Sequence, residues 1–271
     1  MGLSTKRKQA CFLPRAFQPR GSSEVVRLGS DNKGGHVVAA DAVASTRNLL
    51  SLGLKPNFEF EIDFTAMAPL ERLHGYDPDV DFDVLKRKRR RALIPFLESR
   101  PQRHKAIALF RDYSSLFVDR GENFAHFRST IGADDGKPTL NDVLSAFGEE
   151  PGRTFLKCDI GAGAYEVLDT IIEVNALLSG FVLVLSDVPA RLREIHVFLM
   201  AMREFMILDN MTADNSAGVN DEGVPLGLEL SMSSRFRTEP HIPIAGATTR
   251  YKLLNEPNDP TRIDLEIIYI E

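Results

Sequence analysis

Short apolar runs punctuate this chain, and few of them alternate. Asn48–Leu54 (NLLSLGL), Arg72–Tyr76, Phe124–Arg128, Thr154–Ile160 (TFLKCDI), Phe181–Ser186 (FVLVLS), Phe205–Leu208 and Leu226–Met232 (LGLELSM) read as strands. Runs without alternation suit strands covered on both faces, as in a parallel sheet. A last run, Ile263–Ile270, reads as an added edge strand. Helical patterns lie between them: Phe58–Met67, the highly charged Val84–Leu97, Asp112–Val118, Thr139–Phe147, Tyr165–Leu178 and Pro189–Phe205. Thr139 caps its helix three residues before Asp142, and Pro189 takes a favoured first-turn position. Strands alternating with helices predict an α/β sheet, mostly parallel, with helices on both faces. Ligands in such sheets bind beyond the carboxyl ends of the strands, near the point where strand order reverses.

Composition adds limits. Residues 1–23 carry Lys6, Arg7, Lys8, Arg15 and Arg20 among prolines and glycine without an apolar period. They predict a mobile basic arm ahead of one globular domain spanning 24–271. The 33 Lys and Arg against 38 Asp and Glu leave a net charge of −5, which argues against a nucleic-acid partner. The run Lys86–Arg91 then reads as a solvated helix face. No apolar stretch reaches about 18 residues, so no membrane span is expected, and the start has no apolar signal region. Cys11 and Cys158 are too few for a disulfide framework or a zinc site, and a reducing cytoplasm is the expected compartment. His74, His104, His126, His196 and His241 show no metal-ligand spacing, so no metal is expected.

Three places could carry chemistry. Gly53 ends the first strand of the alternating pattern, where a missing side chain lets a ligand approach the backbone. Asp77, in Tyr76-Asp77-Pro78, follows it by 24 residues, close to the spacing at which a carboxylate accepts ribose hydroxyls. Asp159-Ile160-Gly161-Ala162-Gly163-Ala164 reads in isolation as a nucleotide loop, but too little chain follows for a sheet to begin there. A nicotinamide enzyme using Gly161–Ala164 as its phosphate loop stands as an alternative. His36, after Gly34-Gly35, could face a pocket, and Asn210, with Asp214 and Asn215, reads as a turn after a strand that could meet substrate.

The ordered series of these pieces resembles the FkbM-like S-adenosylmethionine methyltransferases. Arg27-Leu28-Gly29 with Gly34-Gly35-His36-Val37-Val38 is similar to that family's R-L-G … D-G-G-Y-V-V. Ser51-Leu52-Gly53, Phe60-Glu61 and Asp63 resemble S-F-G … F-E-x-D. Tyr76-Asp77-Pro78 resembles F-D-P, Asp135-Gly136 with Thr139-Leu140 the D-G … T-L segment, Leu156-Lys157-Cys158-Asp159-Ile160 the L-K-x-D-I, and Leu228-Glu229-Leu230 the L-E-L strand. The resemblance spans residues 25–235. It implies a Rossmann-like seven-stranded methyltransferase sheet and S-adenosylmethionine as cofactor, with Gly53, Glu61 and Asp77 at the cofactor. It also implies a small-molecule hydroxyl acceptor such as a sugar. The sequence departs where the family has E-G-x-E: here stand Gly161-Ala162-Gly163-Ala164, without either acid. Methyl transfer to oxygen needs a base, so Asp159 and Asp187 are the candidate catalytic groups, with His36 and Asn210 toward the substrate. The missing acids leave a degenerate, binding-only relative as the competing reading.

Overall fold

The computed structural model describes residues 8–20, 24–30, 34–54, 58–94, 99–132, 136–236 and 257–271. Lys6, Arg7, Asp135, His241 and the end of the Val84–Leu97 helical pattern lie outside them. In chain order the elements are β1 (Lys8–Pro14), β2 (Val25–Leu28), β3 (His36–Ala39), α1 (Ala40–Ser45), β4 (Asn48–Leu52), α2 (Glu59–Met67), β5 (Arg72–Tyr76), α3 (Phe82–Ala92) and α4 (Arg100–Phe117). There follow β6 (Phe124–Phe127), α5 (Leu140–Ser145), β7 (Thr154–Cys158), α6 (Leu168–Glu173), β8 (Leu178–Ser186), α7 (Val188–Met202), β9 (Met206–Ala213), β10 (Gly227–Ser234) and β11 (Asp264–Ile270).

Seven strands form the central sheet in the order β6-β5-β4-β7-β8-β10-β9. β4 pairs parallel with β5 and β7, β5 with β6, and β7 with β8. β10 runs antiparallel to both of its neighbours, β8 and β9. This is a Rossmann-like, mostly parallel sheet, and its order reverses at β4. The apolar runs lack alternation because both faces are covered. Leu50, Leu52, Leu156, Cys158, Phe181 and Leu183 pack in one layer with α5, α6 and α7. Leu49, Leu73, Phe155 and Val182 pack in the other with β2, β3, α1, α2 and α4.

Several expectations change. The basic arm is ordered over residues 8–20: β1 pairs parallel with β11, and Leu13 and Phe17 are fully buried in the first layer. Alternate residues of Lys8–Pro14 face that core, so a strand forms despite the flanking charges. For the same reason Ile263–Ile270 joins no edge of the main sheet; it makes a separate two-stranded sheet with β1. Asp112–Val118 is the buried end of an 18-residue helix whose first half is polar, and Tyr165–Leu178 is broken into 3-10 turns around the short α6. The β2–β3 hairpin and α1 give too short a period to be read from sequence.

Candidate functional site

Gly53 and Asp77 stand at the carboxyl ends of neighbouring strands. Leu52 lies opposite Tyr76 in the register, and the Gly53 N–H donates to the Tyr76 carbonyl at 2.8 Å. This is the reversal point, with β5 and β6 on one side of β4 and β7 and β8 on the other. Gly53 has φ +77°, and a Cβ there would come 2.1 Å from the Asp159 carbonyl oxygen. The glycine is therefore demanded by the chain's own packing, and ligand approach is not needed to explain it. Asp77 is 6% exposed and accepts the Asp79 N–H at 2.8 Å. Behind it, His126 Nε2 lies 3.1 Å from the Asp77 carbonyl and Nδ1 lies 3.1 Å from the Tyr113 hydroxyl. A carbonyl only accepts, so Nε2 carries the proton and Nδ1 accepts from Tyr113. Burial holds the His126 pKa below the usual imidazole range.

Beneath the turn lies a buried ion pair. Glu61, in the first turn of α2, is 0% exposed. Its Oε1 accepts from Ser51 Oγ at 2.6 Å and from Lys157 Nζ at 2.8 Å. Lys157 also donates to the Gly53 carbonyl at 3.1 Å, while Glu61 Oε2 has no partner among the described residues. The expectation that Glu61 touches a cofactor needs correction, because its carboxylate is sealed under the turn. It reaches the Gly53 carbonyl only through Lys157. Sequence reading gave Lys157 no role, although a cation inside an apolar strand signals a buried partner.

Asp159 follows β7, is 7% exposed, and its N–H donates to the Leu52 carbonyl at 2.9 Å. Asp187 follows β8 and is exposed. Among the described residues it is the one non-glycine with positive φ, at 54°. Cys158 pairs with Leu183, so Asp187 stands three residues further along its strand than the position beside Asp159, a rise of about 10 Å. Register thus brings Gly53, Asp77 and Asp159 together, with Asp187 on the same edge but set outward. At the turn between them Gly161 has open space around a Cβ position, whereas Ala164 is fully buried in the core. Only the first of the family's two acids would have room here.

Two substrate expectations fail on geometry. His36 is 2% exposed, with Nδ1 2.8 Å from Glu229 Oε2 and its ring edge-on to Phe60 at 5.2 Å. It pins the β2–β3 hairpin to β10 and faces no open surface. Asn210 lies within β9, not in a turn after it, and donates to Thr212 Oγ1 at 3.0 Å. Four strand spacings separate β9 from β4, roughly 19 Å, so Asn210 shares no small site with Gly53. Asn215 is used structurally, clamping the Asp259 backbone from both sides at 2.8 and 2.9 Å.

Several solved structures are similar to this chain. An rRNA methylase from Streptococcus thermophilus is similar over 72% of this chain and 93% of its own, at 11% identity and a TM-score of 0.36. A precorrin-6y C5,15-methyltransferase from Geobacter metallireducens matches over 72% and 87%, at 16% identity and 0.34. TrmK from M. capricolum, in complex with S-adenosyl-homocysteine, matches over 75% and 71%, at 9% identity and 0.35. No family model and no curated protein matches the sequence. These likenesses concern fold alone, and the fold assignment rests on the strand order itself.

The partner expectation is corrected by the same comparison. Several similar structures are named as rRNA or tRNA methyltransferases, and none of the three above is named for a sugar. A net charge of −5 does not by itself exclude nucleic acid, and the acceptor is left unspecified. Net charge fails as a guide because the charges are segregated. Residues 82–111 hold ten of the 33 Lys and Arg but two of the 38 Asp and Glu. Among the described residues no helix is long and apolar enough to cross a membrane, and no three His, Cys, Asp or Glu side chains are grouped to hold a metal ion.

Proposed function

We propose that this chain binds S-adenosylmethionine at the carboxyl ends of β4 and β5 and transfers its methyl group to an acceptor hydroxyl. The observation that carries the reading is the Gly53 N–H on the Tyr76 carbonyl. It sets a glycine turn directly beside the Asp77 carboxylate at the reversal point of a methyltransferase sheet. The residues fit the group: Asp77 offers acceptor lone pairs suited to ribose hydroxyls, and the Lys157–Glu61 pair fixes the Gly53 carbonyl from below. When bound, the cofactor supplies an electrophilic methyl. Asp159, on the next strand, orients the acceptor hydroxyl and takes its proton, and Asp187 borders the acceptor's outer side.

A second reading is favoured by one observation. The turn after Asp159 has Gly161 in open space and Ala164 in the core, so it presents no carboxylate. A protein that binds the cofactor without turnover would look the same. Calorimetric titration with S-adenosylhomocysteine tests the site. Micromolar binding to the native chain that weakens at least about tenfold in Asp77→Ala supports it. Absence of binding, or equal binding by the variant, rejects it, and binding of NAD alone would place a nicotinamide there. Transfer of labelled methyl groups to cell extract then separates an enzyme from a binding protein.

A further inference from the structure

The cations of residues 82–111 lie on a helical hairpin whose base packs on the sheet layer. α3 and α4 pack against each other, with Arg103 Nε donating to the Ala92 carbonyl at 2.7 Å near the tip. The base is fixed at the carboxyl edge. Phe82 stacks on Tyr113 at 5.3 Å, Tyr113 bonds His126 of β6, and Arg128 pairs with the α3 cap Asp81 at 2.7 Å. From Tyr113 back to Arg100, α4 rises about 20 Å. Arg100 therefore lies about 20 Å along α4 from the Tyr113–His126 contact beside Asp77.

Its surface has two parts. Arg87, Lys88, Arg89, Arg90 and Arg91 are all exposed on α3, and Arg100 and Lys105 are exposed on α4. At the tip, Leu93 and Ile94 are 57% and 51% exposed side by side. A polyanion in water would satisfy the cations and leave the aliphatic pair hydrated. Bases stack on aromatic faces, yet among the described residues of α3 and α4 no Phe or Tyr is exposed and His104 is the one exposed ring, too few for a stacking platform. An anionic bilayer satisfies both parts: aliphatic side chains enter the boundary between headgroups and acyl chains while Lys and Arg meet the charged headgroups.

We propose that the α3–α4 hairpin docks this protein on an anionic lipid surface, with Leu93 and Ile94 inserted and the Arg87–Arg91 cations against the headgroups. Docking turns the carboxyl edge of the sheet toward the bilayer. The inference does not depend on the cofactor reading, because lipid binding is measured without cofactor.

The test is co-sedimentation of the full chain with phosphatidylcholine vesicles containing about 30% phosphatidylserine, beside vesicles of phosphatidylcholine alone. Anisotropy with a labelled single-stranded RNA runs in parallel. Expected are binding to the anionic vesicles, weakening by at least about tenfold in the Arg87→Gln/Lys88→Gln/Arg90→Gln variant, and a similar loss in Leu93→Ser/Ile94→Ser. The sites are exposed, and circular dichroism checks that the variants stay folded. The proposal is overturned if the native chain ignores anionic vesicles, or if the serine variant binds them as the native chain does. It is also overturned if RNA is bound more tightly than vesicles.

Discussion

The Lys157 ammonium lies 2.8 Å from the Glu61 carboxylate with both side chains almost wholly buried. Neither side chain has water to turn to, so each is the other's charge partner. Removing one leaves an uncompensated charge, which costs about 3–5 kcal/mol, whereas replacing both by apolar groups is often close to neutral. Lys157→Met should therefore lower the urea midpoint strongly, and Lys157→Met/Glu61→Met should recover most of the loss. The double variant should still bind S-adenosylhomocysteine more weakly than the native chain, because the Gly53 carbonyl has lost its donor. Full recovery of both properties would make the pair dispensable to the site.

Gly53 gives a sharper local test. A side chain there meets two obstacles at once, the left-handed φ of +77° and the Asp159 carbonyl at 2.1 Å. Gly53→Ala should cost about 2 kcal/mol or more and displace the β4 and β7 ends from each other. Gly161 has a similar φ of +62° but open surroundings, so Gly161→Ala should cost only the conformational term, about 1 kcal/mol. Thermal melts of the two variants compare them directly. Equal losses would mean that the contact with Asp159 is relieved by local movement.

Two histidines set an acid limit on stability. Burial, with Arg72 adding to it, pushes the His74 pKa down, and burial does the same for His126 against the pull of the Asp77 carbonyl and carboxylate. Both are neutral in the fold, while the unfolded chain takes up protons near pH 6.5. The unfolded state then binds more protons, so stability falls as pH drops through about 6.5 toward the depressed folded values. Asp81, held low first by the Val84 N–H, and Asp142, held low first by the Thr139 hydroxyl, act only at more acid pH. Denaturation midpoints between about pH 7.5 and 5.5 should decline, and His74→Gln/His126→Gln should flatten the decline. An unchanged slope in the variant would assign the effect elsewhere.

What the sequence disclosed follows from range. β4, β7 and β8 are legible because a strand covered on both faces is a largely continuous apolar run. Gly53 and Asp77 are legible because one crossover separates them. The partners that give residues their roles are distant: Lys157 is 96 residues from Glu61, and Glu229 is 193 from His36. No periodicity shows that His36 is closed off by a carboxylate, so its neighbouring glycines suggested a pocket. β1 finds β11 across nearly the whole chain, and its charged residues look like a loose arm until that partner is in place. Net charge erred for a different reason: a sum carries no position, and the α3–α4 hairpin is cationic in an acidic protein.

The two thiols should report how that outlying sheet opens. Burial, then the Asp264 carboxylate, pushes Cys11 up to about 11, and burial, then Asp159, pushes Cys158 up to about 12. Both sulfurs are fully buried, and Cys11 bonds the Glu266 carbonyl at 3.6 Å. A thiol-disulfide reagent at about pH 8 should find no reactive group in the folded chain and two after denaturation. The routes to exposure differ. Cys158 lies in β7 at the middle of the seven-stranded sheet and is released by global unfolding. Cys11 lies in a two-stranded sheet, which is marginal alone and opens at lower free energy. Peptide mapping during slow labelling in mild urea should therefore show Cys11 modified well before Cys158. Simultaneous modification would mean that β1 and β11 unfold only with the main sheet.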